Sequence, residues 1–345
     1  MKLLVLTQKV DKNDDNLGSF HEWIMEFAKH CERVTVICLQ KGVYSLPENV
    51  SVLSLGKEGG VNRLKYIFYF YKFIWQSRSN YDAVFVHMNI EYVILGGLVW
   101  RFLKKRIGLW YVHRAINWKL RLAEKLTDII FTASEKSFRL QSDKVKVVGH
   151  GINVDRFRPV NMLPKNTDIL SIGRIASVKN YGSLIDAAKI LNVRGLEFRI
   201  KIVGAPILES DEIYFDNLKN RVMVNNLEDK VSFIGALPHE QIAKVYSDSK
   251  IFVNFSDTGS LDKAVMEAMA SGLLVLTSNE AFMDILSERY ITTKDPLAIA
   301  EKLVTLMKQD VDPELRKYVV ENHSLKSLID KIAASFSSRQ AARTL

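Results

Sequence analysis

The chain has 345 residues, 48% hydrophobic and 25% charged, and a formal net charge of +9 from 48 basic and 39 acidic side chains. That length suits two domains, and the balance is ordinary for a soluble globular protein. No apolar run reaches the ~20 residues a membrane helix needs, and the N-terminal MKLLVLTQK is too short for a signal-peptide core. Cys31 and Cys38 lack metal-ligand spacing and read as a reducing, cytoplasmic compartment. The basic excess suits phosphorylated ligands or an anionic membrane surface; without a recognisable nucleic-acid module, a nucleic-acid partner is not expected.

The first half alternates strands and helices. Strands are expected at Leu3–Leu6, Val34–Leu39, Val50–Leu55, Ala83–His87, Leu109–Val112, Ile129–Thr132 and Val145–Val148, and helices at Phe20–Lys29, Leu64–Gln76, Tyr92–Phe102, Leu120–Leu126 and Glu135–Leu140. Such alternation argues for a parallel sheet covered on both faces, which binds ligands beyond the carboxyl ends of its strands. That rule selects the loop of Asn16, Leu17 and Gly18, where Gly18 opens a helix and lets backbone approach a sugar or phosphate. Asp11, Asp14 and Asp15 in the same loop read as a solvated face, with acceptor binding as the alternative. His113 follows one strand and His87 another, so placement alone does not choose between them. Arg63–Arg78, RLKYIFYFYKFIWQSR, carries seven aromatics among basic residues. Its first reading is a helix packed on the sheet; its second is a helix on a membrane surface.

The alternation breaks near Gly149-His150-Gly151-Ile152-Asn153, and the polar stretch from Arg158-Pro159 to Pro164-Lys165-Asn166 reads as the linker. It then resumes with strand Asp168–Ile172, helix Ser183–Leu191, strand Phe198–Val203, helix Asp211–Asn225, strand Val231–Ile234 and helix His239–Tyr246. Gly173 permits a tight exit from its strand, and Arg174 and Lys179 are two cations at the same sheet edge, solvated or holding diphosphate oxygens. Ile234-Gly235-Ala236-Leu237 ends another strand there, where main-chain groups can hold a planar base.

From Ile251 to Ser278 the chain reads strand, loop, helix, strand. Leu261, Ala264, Val265, Ala268 and Met269 form the stripe of a helix on a sheet, with Ser260 as the expected N-cap and Gly272 as the stop. On the other face Ser260, Lys263 and Glu267 line up at about 100° per residue. The helix tip exposes amides that favour an anion, and Glu267 one turn inside can accept from vicinal hydroxyls. Phosphate at the tip and ribose at the carboxylate make a nucleoside-diphosphate site; a capped helix with a Lys263–Glu267 pair is the competing reading.

Together these pieces resemble the retaining nucleotide-sugar glycosyltransferases of family 4. The matching residues are Gly173-Arg174 with Lys179, Phe233-Ile234-Gly235, Glu267-Ala268-Met269-Ala270 with Gly272, and His150-Gly151-Ile152 with Asp155 and Phe157. The resemblance implies the α/β GT-B architecture: two Rossmann-like domains with parallel sheets facing an interdomain cleft. The expected domains are 1–158 for the acceptor, 159–323 for the donor, and a helix in 324–345 that crosses back. Catalysis is implied for His113, Arg174 and Lys179. Donor binding is implied for Gly18, Gly173, Ile234, Gly235, Leu237, Gly259, Ser260, Leu261, Lys263 and Glu267. One departure stands out: the family's second glutamate, eight residues before Glu267, is here Gly259, and the next residues are Ser260-Leu261-Asp262-Lys263. Asp257 or Asp262 is a candidate substitute.

The implied reaction moves a sugar from a UDP- or GDP-sugar to an acceptor hydroxyl of a glycan or lipid-linked glycan, with retention. Asp310-Val311-Asp312 mimics a metal motif of another fold but lies away from any strand end, so no metal and no cofactor beyond the donor substrate is expected. Domain closure about the linker would exclude water. The expected location is the cytoplasm, with a peripheral place at the inner membrane face as a further option. Rival readings are a nucleotide-sugar-binding protein without transfer activity and a nucleotide-sugar epimerase.

Overall fold

The computed structural model describes residues 1–14, 17–113, 115–160, 167–257 and 259–337. Asp15, Asn16, Arg114, Thr258, the linker residues Pro164-Lys165-Asn166 and the last residues of the 324–345 segment lie outside that description. The chain forms two compact units, Met1–Asn153 with the chain from Asn322 onward, and Val154–Glu321.

The first unit runs β1 (Lys2–Val10), α1 (Gly18–His30), β2 (Arg33–Lys41), β3 (Val50–Ser54), α2 (Arg63–Gln76), β4 (Ala83–His87), α3 (Ile90–Phe102), β5 (Arg106–Trp110), α4 (Trp118–Leu126), β6 (Ile129–Thr132) and β7 (Val145–Val147). The second runs β8 (Thr167–Ile172), α5 (Tyr181–Val193), β9 (Ile200–Val203), α6 (Glu209–Val224), β10 (Val231–Gly235), α7 (His239–Ser247), β11 (Ser249–Asn254), α8 (Lys263–Ala270), β12 (Leu274–Thr277), α9 (Pro296–Met307) and α10 (Pro313–His323), the last two residues of α10 counting with the first unit. The last helix, α11 (Leu325–Ser337), belongs to the first unit.

Both sheets are parallel, ordered β3-β2-β1-β4-β5-β6-β7 and β10-β9-β8-β11-β12. The period-2 geometry of a strand explains why its apolar runs are continuous. Leu3 and Val5 of β1 turn toward Phe20, Trp23, Ile24 and Phe27 of α1, while Leu4 and Leu6 turn toward Phe70, Ile74 and Trp100 of α2 and α3. Leu325, Leu328, Ile329, Ile332 and Phe336 of α11 complete the α1 layer.

Three expectations need correction. The helix expected at Glu135–Leu140 is a single 3-10 turn, Glu135–Ser137, because Phe138 is extended and buried instead of continuing the turn. The strand expected at Leu109–Val112 lies earlier, at Arg106–Trp110. Gly108 weakens its sequence signal, yet a Cβ there would lie 2.6 Å from the Phe336 ring, so packing of α11 demands the glycine. The third is the start of α8, which is capped by Asp262 and not by Ser260.

Candidate functional site

The second sheet ends in a row of glycines. Gly173 follows β8, Gly204 follows β9, and Gly235 ends β10. The Gly204 amide donates to the Gly235 carbonyl at 2.9 Å, and a Cβ on Gly204 would sit 2.0 Å from the Gly173 carbonyl oxygen. Gly235 has φ +82°, where a side chain is strained. Three carboxyl ends thus approach one another as bare backbone. Gly204 was missed in the sequence because its role depends on a neighbour 31 residues away in the chain.

Beside this row sits a partly buried ion pair. Lys179 Nζ lies 2.7 Å from Asp262 Oδ2, with side chains 17% and 12% exposed. Asp262 also accepts from Asn254 Nδ2 at 3.0 Å and from the Ala264 amide at 3.2 Å. Burial works against its charge, but Lys179, Asn254 and the helix amide more than offset this and hold its carboxyl below the usual range. Asp262, not Ser260, is therefore the N-cap of α8. The residues before it are held out of the helix: Gly259 has φ +61°, Leu261 is buried, and the Ser260 carbonyl accepts from Asn279 Nδ2 at 2.8 Å. Gly272, at φ +80°, does end the helix, its amide donating to the Met269 carbonyl at 3.1 Å.

One turn inside α8, Glu267 is buried, with 6% exposure. Lys263 Nζ lies 3.4 Å from its Oε1, His239 Nε2 lies 3.6 Å from the same oxygen, and the Tyr246 hydroxyl lies 3.3 Å from Oε2. Arg156 lies 3.1 Å from His239 Nδ1. A guanidinium only donates, so that nitrogen accepts and the imidazole proton sits on Nε2, toward Glu267. Burial pushes the Glu267 carboxyl up, but Lys263 and then His239 pull harder, and it stays ionised below the usual range. His239 was overlooked because a histidine opening a helix carries no sequence sign of the glutamate 28 residues later.

The other candidates are less enclosed. Arg174, 41% exposed on its side chain, reaches Asp211 of α6 only loosely, at 3.7 Å. The Tyr181 hydroxyl donates to the Gly173 carbonyl at 2.9 Å, and a Cβ on Gly173 would come 3.1 Å from Lys179 Cε. Gly173, Arg174, Lys179, Asp262, Lys263 and Glu267 are therefore linked through direct contacts and chain neighbours. Ile234 is exposed and Leu237 half-buried at the β10 end. Asp312 is tied to Arg289 and to the Tyr290 hydroxyl.

In the first unit Gly18 starts α1. The structure separates the two histidines that sequence position could not. His87 stacks on Phe20 with ring centroids 3.9 Å apart and lies 3.4 Å from Thr7 Oγ1. His113 is exposed beyond β5, its Nδ1 accepting from the Ala115 amide at 3.3 Å.

A family model described as "Glycosyl transferases group 1" matches residues 154–326. The chain is 28% identical over 187 residues to the mannosylfructose-phosphate synthase of Agrobacterium fabrum, covering 50% of this chain and 41% of that protein. It is 29% identical over 184 residues to the amylovoran biosynthesis glycosyltransferase AmsK of Erwinia amylovora, covering 50% and 44%. The match thus spans less than half the length of these relatives. Among solved structures, Anabaena HepE in complex with UDP superposes with a TM-score of 0.74 at 15% identity, covering 98% of this chain and 100% of that one. Sucrose-phosphate synthase from Thermosynechococcus elongatus gives 0.71 at 16% identity, covering 99% and 100%. At such identities the likeness speaks for the fold, the two-sheet α/β GT-B architecture.

Proposed function

Given that the chain belongs to the glycosyl transferases group 1 family, we propose that it moves a sugar from a nucleoside-diphosphate sugar to an acceptor hydroxyl, with retention of anomeric configuration. The observation that carries the reading is the start of α8: Lys179 held against the N-cap Asp262 at the helix tip, with ionised Glu267 buried one turn inside. The diphosphate lies against Arg174, Lys179 and that tip, the ribose hydroxyls donate to Glu267, and the base meets main chain from Ile234 to Leu237. Gly173, Gly235, Gly259, Ser260 and Leu261 supply backbone, and Lys263 adds a contact to phosphate. As the sugar–oxygen bond breaks, negative charge grows on the leaving β-phosphate, so these cations and amides favour the transition state over the ground state. The acceptor hydroxyl arrives on the same face and a phosphate oxygen takes its proton, so no general-base carboxylate is needed. His113 is the first unit's candidate for a contact to the transferred sugar, and Gly18 for close backbone approach.

The acceptor is a glycan or lipid-linked glycan, met in the cytoplasm at the inner face of a membrane. Anabaena HepE is described with UDP and with UDP-glucose, which makes UDP sugars the first donors to try. A thermal-shift screen of UDP, GDP and ADP sugars identifies the donor. Isothermal titration of the matching diphosphate against wild type and Arg174→Ala then tests the site, and equal affinities would remove Arg174 from it. NMR of the product decides retention, and an inverted anomer sinks that part. Two features favour a second reading, binding without transfer: Gly259 replaces a glutamate of the family pattern, and Asp262 competes for Lys179. Donor binding with no turnover over a broad acceptor panel would establish it.

A further inference from the structure

We propose that the α2–α3 face of the first unit is a docking surface for an anionic lipid bilayer. This deepens the membrane-side part of the reading above by naming the surface, and it lies outside the donor residues. Along α2, Leu64, Phe68, Tyr71 and Trp75 fall at i, i+4, i+7 and i+11, a single stripe, with Leu64 78%, Phe68 64% and Trp75 49% exposed. On α3, Leu98 and Phe102 are 71% and 78% exposed. The two stripes meet. The Tyr71 hydroxyl donates to the Leu95 carbonyl at 2.9 Å, and Tyr71, Ile74, Trp75, Leu98, Val99 and Phe102 line a cavity of about 450 Å³. A separate cavity of about 410 Å³ lies between the same helices, lined by Ile67, Phe70, Tyr92 and Leu95 with Arg63 and Glu91, and reaches Gln8 and Asn89. The α2–α3 seam thus carries two hollows, the second near the carboxyl edge of the sheet.

A soluble protein rarely leaves so many large apolar side chains together in water without a partner for them. Charge selects the partner. Residues 63–78 contain Arg63, Lys65, Lys72 and Arg78 and no carboxylate, and Arg101 and Lys104 are exposed at the C-terminal end of α3, whose Glu91 is paired with Lys119. Lys65 and Lys72 are exposed and share the face of Phe68 and Trp75, at steps of three and four residues. Apolar side chains rimmed by lysine and arginine match a bilayer interface, where rings enter the acyl boundary and cations meet lipid phosphates. A second copy of the chain fits poorly, because a two-fold contact would set these like charges against one another. No helix among the described residues is long and apolar enough to cross a membrane, so attachment here is lateral.

The test is co-flotation of the full chain with vesicles of phosphatidylcholine alone or mixed with phosphatidylglycerol. Binding is expected to the mixed vesicles, to weaken as salt rises, and to fall about tenfold or more in Lys65→Glu/Lys72→Glu. Phe68→Ser/Trp75→Ser should also lose binding while thermal midpoint and nucleotide-diphosphate affinity stay at wild-type values. Those controls separate failure of this surface from failure of the donor reading. The proposal is overturned if the mixed vesicles do not bind at low salt, or if both double variants float like wild type. It is equally overturned if light scattering shows the apolar variant splitting a dimer, because the face would then join two copies.

Discussion

Asp262→Asn should make the second unit less stable and yet bind nucleoside diphosphate more tightly. The pair it breaks is short and mostly buried, 2.7 Å from Lys179. Truncating one partner of a well-buried pair costs about 3–5 kcal/mol. Here the loss is smaller, because asparagine caps a helix as well as aspartate does. We expect about 1–2 kcal/mol, most of it from leaving Lys179 without its carboxylate. Removing the carboxylate also removes a negative charge that opposes the diphosphate. A unit charge at ~5 Å contributes about 3 kcal/mol at an effective dielectric of ~20, and solvent screening leaves roughly half, about a tenfold gain in affinity. Lys179→Met should lose on both counts, about 2–3 kcal/mol of stability and at least tenfold in affinity. Urea unfolding supplies the first quantity and isothermal titration with UDP and GDP the second. If Asp262→Asn leaves affinity unchanged or weakens it, Lys179 is a structural cation and the proposed placement of the diphosphate is wrong.

His323, buried with His150 and Lys331 nearby, is pushed down by burial to about 4. The unfolded chain binds a proton there below its ordinary ~6.5 while the folded chain does not, so unfolding free energy should fall between pH 6.5 and 4, by up to about 3 kcal/mol. His323→Gln should flatten that slope in urea titrations across the window; an unchanged slope refutes the assignment. Gly204→Ala meets the Gly173 carbonyl oxygen at 2.0 Å and should cost about 3 kcal/mol or more in stability and disturb nucleotide binding. Gly235→Ala has open space and only its φ of +82° to resist it, so urea unfolding should register about 1–2 kcal/mol; equal losses would contradict the packing argument. His239→Ala takes away one of the groups that favour ionised Glu267, so nucleotide affinity should drop several-fold and drop further as pH is lowered toward 4. A pH-independent loss would assign His239 to packing alone.

The alternation of elements and the two parallel sheets were legible in the residues, because strand and helix periods are local properties of the chain. So was the stretch from β11 to β12, whose apolar stripe and Gly272 mark a helix between strands. The glycines at the ends of β8 and β10 were visible for the same reason, since a tight strand exit needs no distant partner. What the sequence could not decide were pairings between segments far apart in the chain. Asp262 caps α8 because it meets Lys179 across 83 residues, while Leu261, inside the helical stripe by spacing, is buried in a non-helical approach. Gly204 and Gly108 are required by a carbonyl and a ring that only packing brings near. His87 and His113 occupy equivalent places in the pattern, and only the ring of Phe20 stacked on one of them tells them apart. Periodicity records which face of an element is apolar; which side chain from elsewhere lands on that face is fixed by close packing in three dimensions, and electrostatic partners follow from it.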